Sequence, residues 1–252
     1  MEPRLGVNID HIATLRQLRG TPYPSVVEAA RIVERAGGRQ ITVHLREDRR
    51  HIQDEDVRKL RSHLHVPLNL EMSVSAPIVR FAVKTRPDWA CLVPEKRQEV
   101  TTEGGLDLAR NRKAVQSAIA TLRRAKIKVS LFIEPSLQMV KLASELGAQA
   151  VEFHTGRYCL ATQSEGARAK SRAKAELERL AKAARAARTA GLHVHAGHGF
   201  DYENVRPVAA LVDEAGKPLI EEYNIGHSIV CRAALVGLER AVREMVSAIL
   251  AP

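Results

Sequence analysis

Three observations predict a (β/α)₈ barrel with additional short helices. Eight short apolar segments recur along the chain, stretches with helical periodicity separate them, and nearly every apolar segment runs into a polar group able to do chemistry. In order the segments end at Asn8-Ile9-Asp10-His11, His44-Leu45-Arg46, Asn69-Leu70-Glu71, Pro94-Glu95, Glu134-Pro135, Glu152-Phe153-His154-Thr155, His195-Ala196-Gly197-His198-Gly199 and Asn224-Ile225-Gly226-His227-Ser228. In this fold the carboxyl ends of the strands converge on one mouth, so groups far apart in sequence become neighbours. No linker or composition break divides the chain, and residues 1–252 read as one domain of the usual length for a single barrel.

The elements follow in order. Leu5 to Ile9 reads as the first strand, with a polar loop after it through Gly20-Thr21-Pro22. A helix from about Val26 to Ala36 stops at Gly37-Gly38. Ile41 to Val43 is the second strand, and Asp54 is placed to cap a helix reaching about Leu64. Pro67 to Leu70, Trp89 to Val93, Val129 to Ile133 and Ala150 to Phe153 read as strands three to six, with helices near residues 76–84, 112–125 and 137–146 between them. A long helical region then runs to Ala190, His193 to His195 is the seventh strand, and a shorter helix follows Asn204. Ile220 to Ile225 is the eighth strand, and one final helix is expected from Ser228 to about Leu250. Between Pro94 and Gly105 the periodicity pauses; this polar, glycine-hinged segment suits either a lid or an ordinary surface loop.

Composition narrows the function. No run of about twenty apolar residues occurs, and the first residues lack a basic-then-apolar leader, so a cytoplasmic protein without membrane contact is expected. Three scattered cysteines without a CxxC pair suggest reduced thiols rather than disulfides or zinc. The net charge of +10 fits either nucleic acid or anionic small substrates. Much of the excess lies between Arg168 and Arg188, interleaved with glutamates, as on a solvated helix face, and aromatic residues for base stacking are scarce. A nucleic-acid partner is therefore not expected.

Several constellations carry chemistry. Gly197-His198-Gly199 and Gly226-His227-Ser228 end the last two strands, where barrels of this kind often bind phosphate on backbone N–H groups and a helix N-terminus. Alternation turns Asn8 and Asp10 to one side, into the barrel if Ile9 points outward; a hydrogen-bond network supporting the floor is the competing role for Asp10. His44 should face the mouth as a general acid or base, and Arg46 and His51 are natural anion ligands, as are Arg16 and Arg19 on the first loop. Glu71 and Glu152 end strands three and six, where a partly dry mouth should perturb their pKa values; a salt bridge to a barrel arginine is the alternative for either. No HExxH-like spacing points to a metal, and no strand end outside the charged run at Lys96 offers a lysine for a Schiff base. His193 and His195 read as packing residues. The residues by themselves point to acid–base chemistry on a phosphorylated carbonyl compound, without metal or other cofactor.

The same segments resemble the pyridoxine 5′-phosphate synthase family. The matching stretches run from Gly6 to Arg16, Thr42 to His51, Asn69 to Met72, Leu92 to Gly105, Glu152 to Gly156, Ala196 to Gly199 and Asn224 to His227, in order along nearly the whole chain. The resemblance implies condensation of 1-deoxy-D-xylulose 5-phosphate with 3-amino-2-oxopropyl phosphate to pyridoxine 5′-phosphate, inorganic phosphate and water. It implies that Asn8, Arg19, Gly199, Gly226 and His227 hold the amino ketone phosphate, and that Asp10, His11, Arg46, His51 and Thr101 hold the deoxyxylulose phosphate. It makes His44 and Glu71 proton acceptors, His198 a proton donor and Glu152 a stabiliser of the transition state. It also implies a homo-octamer, and a loop after strand four that closes over the site. A different phosphate-binding barrel enzyme, such as a sugar-phosphate isomerase or lyase, is the alternative reading.

Overall fold

The computed structural model describes residues 2–101 and 104–252; residues 102 and 103, inside the segment after the fourth strand, lie outside the described residues. Eight parallel strands close into a barrel in sequence order. They are β1 (Arg4–Asn8), β2 (Gln40–His44), β3 (Leu68–Met72), β4 (Trp89–Leu92), β5 (Lys128–Ile133), β6 (Ala150–His154), β7 (His193–Gly197) and β8 (Glu222–Ile225), with β1 pairing β8 to complete the ring. The helices are α1 (Asp10–Arg19), α2 (Val26–Arg35), α3 (Asp54–His63), α4 (Ala76–Thr85), α5 (Arg112–Arg124), α6 (Leu137–Glu145), α7 (Gly156–Thr162), α8 (Ala167–Thr189), α9 (Val205–Ala209), α10 (His227–Val236) and α11 (Leu238–Leu250). The expected barrel with extra helices is what forms: α1, α7 and α10 are the additions, each starting within two residues of a strand's carboxyl end.

Alternation along each strand separates two environments. Leu5, Val7, Ile41, Val43, Leu68, Leu70, Val129 and Leu131 point outward and are sealed under the helices. The opposite residues point inward and are largely polar, where barrels of this class usually place branched apolar side chains. Thr42 (β2) donates its hydroxyl hydrogen to Asn224 (β8) at 3.0 Å, and Asn224 donates to Glu152 (β6) at 2.8 Å. Those strands are not neighbours in the sheet, so the bonds cross the barrel interior. At the floor Arg4 pairs with Glu222, His195 Nδ1 lies 3.4 Å from Glu222, and the ring of Trp89 meets His195 edge-on. His195 is thus a packing residue at the end of the barrel remote from the strands' carboxyl termini, as the sequence suggests.

The sequence reading needs four corrections. Residues 10–19 are helical, not loop, and the helix ends at Gly20, whose left-handed φ of 64° suits glycine. The signal was weak because only Ile12 and Ala13 bury apolar side chains there. Asp54 is the first helical residue rather than the cap; Asp56 accepts the Gln53 N–H at 2.8 Å and secures that end. The final helix is two helices broken at Gly237 (φ 85°), and Gly166 (φ 95°) separates α7 from α8. Among the described residues no helix is long and apolar enough to cross a membrane.

Glycine makes room for the interior bonds. A Cβ on Gly6 would collide with the Asn224 side-chain oxygen, and one on Gly197 with the Glu152 carboxylate. Gly6→Ala is expected to lower the unfolding free energy by about 1–3 kcal/mol, the usual cost of overpacking a filled interior. Urea unfolding measures it; an unchanged midpoint would mean that the interior is looser than the geometry indicates.

Candidate active site

The inward polar rows emerge at the carboxyl ends of the strands around a cavity of about 750 Å³. Asn8, His44, Glu71 and Glu152 reach it from β1, β2, β3 and β6, and His198 and Gly199 from the turn after β7. Asp10, His11, Gly226 and His227 complete the part of the wall that the sequence marks out. Ten of the fourteen residues singled out from sequence therefore share one cavity. Val7 is fully buried on the outer side, which turns Asn8 inward as alternation requires, while Asp10 faces the cavity from the first residue of α1 rather than from the strand.

The acidic side is a crowded set of carboxyl groups. Asp10 accepts the His44 backbone N–H at 2.8 Å and the Asn8 amide at 3.1 Å. Burial pushes its pKa up to about 6, against the opposing pull of His44 and Asn8. Asp10 therefore braces the carboxyl end of β2 while facing the cavity, and its bonds lie at the mouth rather than in the floor network of Arg4, Glu222 and His195. Glu71 lies with Oε2 3.8 Å from His44 Nδ1. Burial first, then the nearby charges of Glu152 and Asp10, raise its pKa well above the ordinary range. Burial raises Glu152 to about 8, although the Asn224 amide favours its charged form. No arginine neutralises Glu71 or Glu152 among the ion pairs of the described residues. At neutral pH Glu152 accordingly keeps its proton and can donate a hydrogen bond or a proton.

Two imidazoles face these acids. His44 Nε2 lies 3.1 Å from Glu95 Oε1, a partner on the first residues after β4. His198 packs against the rings of His154 (4.7 Å) and Phe132 (6.3 Å), and burial, then the charge of His154, lower its pKa. Its φ of 76° is in the left-handed region, which non-glycine residues rarely occupy. With Gly199 at 94° this turn holds the imidazole at the cavity and leaves β7 abruptly.

The opposite side suits anions. Gly226 follows β8 directly as the N-cap of α10, with no side chain capping the first-turn N–H groups. His227 stands there beside His11, ring centroids 5.0 Å apart; burial and then the His227 charge lower the His11 pKa. Around the rim from His44, Arg46 Nε is buried without a hydrogen-bond acceptor and its charged partner Asp48 is 3.6 Å away. His51 is lowered to about 4 by burial and then by the positive charges of His44, Arg46, His11 and Arg50. A cluster of cationic groups that suppress one another's charge gains most when an anion arrives.

Four of the sequence-marked residues lie off the cavity wall. Arg46 and His51 flank it as just described. Thr101 donates its hydroxyl hydrogen to Glu134 (3.1 Å), whose carboxylate also accepts the Gly105 N–H (2.8 Å), so the end of the segment after β4 is tied to β5. Arg19 is exposed at the end of α1. Sequence reasoning gave no role to Asn224, His154 or Phe132, although alternation from Gly226, Glu152 and Glu134 would have found them. Glu95 was visible only as a strand-end residue. Asp10, His44 and Glu71 hold donor atoms within 4.8 Å of one another, a spacing that could gather a divalent cation; their bonds to one another and to Glu95 suit proton transfer equally well.

The raised pKa of Glu152 has a thermodynamic consequence. Its folded value of about 8 exceeds the ordinary 4.5, so the folded protein binds this proton more tightly than the unfolded chain. Stability contributed by this group is undiminished below about pH 4.5 and falls as pH rises towards 8, at up to about 1.4 kcal/mol per pH unit. Glu152→Gln removes the titration. Its unfolding free energy should gain on the wild type steadily between these pH values, and a difference independent of pH would contradict the raised pKa.

With this geometry in place, comparison with known proteins gives a consistent result. Residues 5–251 match the family described as Pyridoxal phosphate biosynthesis protein PdxJ. The chain is 52% identical over 242 residues to the pyridoxine 5′-phosphate synthase of Magnetococcus marinus, covering 96% of this chain and 94% of that one. It is 52% identical over 241 residues to the pyridoxine 5′-phosphate synthase of Syntrophotalea carbinolica, covering 96% of each. Among solved structures it resembles 3-keto-L-gulonate-6-phosphate decarboxylase from Vibrio cholerae, with a TM-score of 0.64 at 15% identity and full coverage of both chains. That likeness concerns the barrel fold alone. The sequence match, its near-complete span and the strand-end groups around one cavity agree: the chain belongs to the PdxJ family of pyridoxal phosphate biosynthesis proteins.

Proposed function

We propose that this chain is a pyridoxine 5′-phosphate synthase, an enzyme that condenses 1-deoxy-D-xylulose 5-phosphate with 3-amino-2-oxopropyl phosphate. The products are pyridoxine 5′-phosphate, inorganic phosphate and water. One observation carries the reading: four proton-handling groups, His44, Glu71, Glu152 and His198, face a single cavity beside an uncapped helix N-terminus and a cationic rim. A sugar-phosphate isomerase or lyase would also need a phosphate site, but family membership favours the synthase.

The chemistry follows from the groups. The amine of one substrate attacks the ketone of the other, so the imine forms between substrates and no enzyme lysine is consumed. The phosphate of the amino ketone lies at Gly226, His227 and Gly199, with Asn8 beside it, while Arg46, His51, His11, Asp10 and Thr101 serve the deoxyxylulose phosphate. Elimination of water and phosphate and closure of the ring each need a proton moved within the cavity. His44 and Glu71 accept protons from substrate carbon or nitrogen, and His198 donates to a departing oxygen. Glu152, neutral at pH 7, donates a hydrogen bond to oxygen that gains negative charge. The segment after β4, with Gly104 on the cavity wall, closes over bound substrate.

The remaining features are compatible with this role. We take residues 1–252 as one catalytic domain that works in the cytoplasm. Association into a homo-octamer would cover Leu15 and Leu18 of α1 and Leu235 of α10, which are exposed here.

The direct test is incubation of purified protein with both substrates while following pyridoxine 5′-phosphate fluorescence; folded protein that forms none would defeat the reading. Glu71→Gln should lower kcat by roughly 10² or more, with little change in unfolding midpoint, because it keeps shape and removes a proton acceptor. Near-wild-type turnover would remove Glu71 from that role. Arg19→Ala should raise the KM for 3-amino-2-oxopropyl phosphate several-fold, and because Arg19 stands off the cavity wall, an unchanged KM would strike it from the phosphate site.

A further inference from the structure

His44 is contacted on both sides of its ring, and only one side has entered the reaction so far. Nδ1 looks towards Glu71 Oε2 at 3.8 Å, while Nε2 lies 3.1 Å from Glu95 Oε1. Glu95 does not line the cavity and only 5% of its side chain is exposed. Its second oxygen, Oε2, accepts the backbone N–H of Glu47 at 2.9 Å. Its own N–H and that of Lys96 donate to the Glu99 carboxylate at 3.0 and 3.1 Å, so the backbone that carries Glu95 is itself tied down. Burial works against charge on Glu95, but the hydrogen bonds from His44 and from the Glu47 N–H, with the charge of Arg46, outweigh it and lower its pKa.

An ionised carboxylate only accepts hydrogen bonds. The nitrogen facing it must therefore carry a hydrogen, which leaves the lone pair on the nitrogen that faces Glu71. We propose that Glu95 is a positioning residue of the reaction: it holds His44 as the Nε2–H tautomer, so that Nδ1 can take a proton at the cavity. This rests on the synthase reading, in which His44 is a proton acceptor. When a substrate C–H or N–H proton moves to Nδ1, the electron pair stays on the substrate and the new imidazolium faces the Glu95 charge. The proton leaves again from Nδ1 in a later step, and Glu95 never gains it. Because Glu95 opens the segment after β4, His44 and the start of that segment are held as one unit.

Glu95→Gln separates this role from mere packing. Glutamine has one acceptor oxygen for two N–H donors, and the Glu47 N–H is fixed by the backbone. Its oxygen goes to Glu47, its NH₂ group faces His44, and His44 must then present a lone pair at Nε2 and carry hydrogen at Nδ1. Expected are a fall in kcat of roughly 10² or more with KM values for both substrates within about twofold of wild type. In protein labelled with ¹⁵N-histidine, the ¹⁵N shifts of the His44 ring, assigned by comparison with His44→Asn, should exchange their pyrrole-like and pyridine-like positions. A kcat within about threefold of wild type, or lost turnover with the tautomer unchanged, would overturn the proposal. The wild-type spectrum is a test that needs neither turnover nor a folded variant: a neutral His44 with hydrogen on Nδ1 overturns it outright. Wild-type protein that forms no pyridoxine 5′-phosphate would instead defeat the synthase reading, whatever the tautomer.

Discussion

The carboxamide of Asn224 donates to Glu152 at 2.8 Å and accepts from Thr42 at 3.0 Å, joining β8, β6 and β2 through the middle of the barrel. The carboxyl groups at the mouth depend on this crossing. A buried polar atom left without a hydrogen-bond partner costs about 1–3 kcal/mol. Asn224 has both a donor end and an acceptor end, so it can join a hydroxyl on one strand to a carboxyl on another. The glycines at 6 and 197 leave the space that its oxygen and the Glu152 carboxyl fill. A barrel packed with branched apolar side chains would be simpler to stabilise, but it could not hold Glu152 at the base of the cavity with a defined orientation.

Above that layer the same logic governs charge. Asp10, Glu71 and Glu152 crowd one side of the cavity, and burial makes each hold its proton more firmly than in water. Cationic groups crowd the neighbouring rim, and burial with mutual repulsion lowers His51 and His11. One set is therefore disposed to hold and exchange protons and the other to accept an anion. His44 stands between them, with its backbone N–H given to Asp10, one ring nitrogen to Glu95 and the other turned to Glu71. Of the three extra helices α10 adds to the anion side, since it starts at Gly226 and His227 on the cavity wall.

Much of this was legible in the chain. Strand alternation turned Asn8 and His44 towards the mouth because a period of two leaves little freedom once Val7 or Val43 is buried outside, whereas Asp10 reaches it from the first turn of α1. The paired glycine turns at 197–199 and 226 marked the anion side, because glycine lets backbone N–H groups approach a ligand. The helix at 10–19 was missed because its polar face is broad and its short buried stripe is interrupted by residues that serve the site instead. The break at Gly237 was also hidden, as apolar periodicity continues across it and only the left-handed φ reveals the turn. Arg16 shows the limit for single charges: it reads as an anion ligand but is clamped by both oxygens of Asp56 at 2.7 Å.

What the sequence determined by itself was the barrel, its eight strands and the set of groups at their carboxyl ends, because hydrophobic periodicity and strand-end position are local properties. Which of those groups meet, and which partner each one holds, only the tertiary structure decided. Glu95 and His44 are 51 residues apart, and Asn224 and Glu152 are 72. No local pattern links such pairs; the pairing of β2 to β3 and of β3 to β4 brings the first together, the closed ring of strands brings the second, and those meetings set the pKa values on which proton transfer depends.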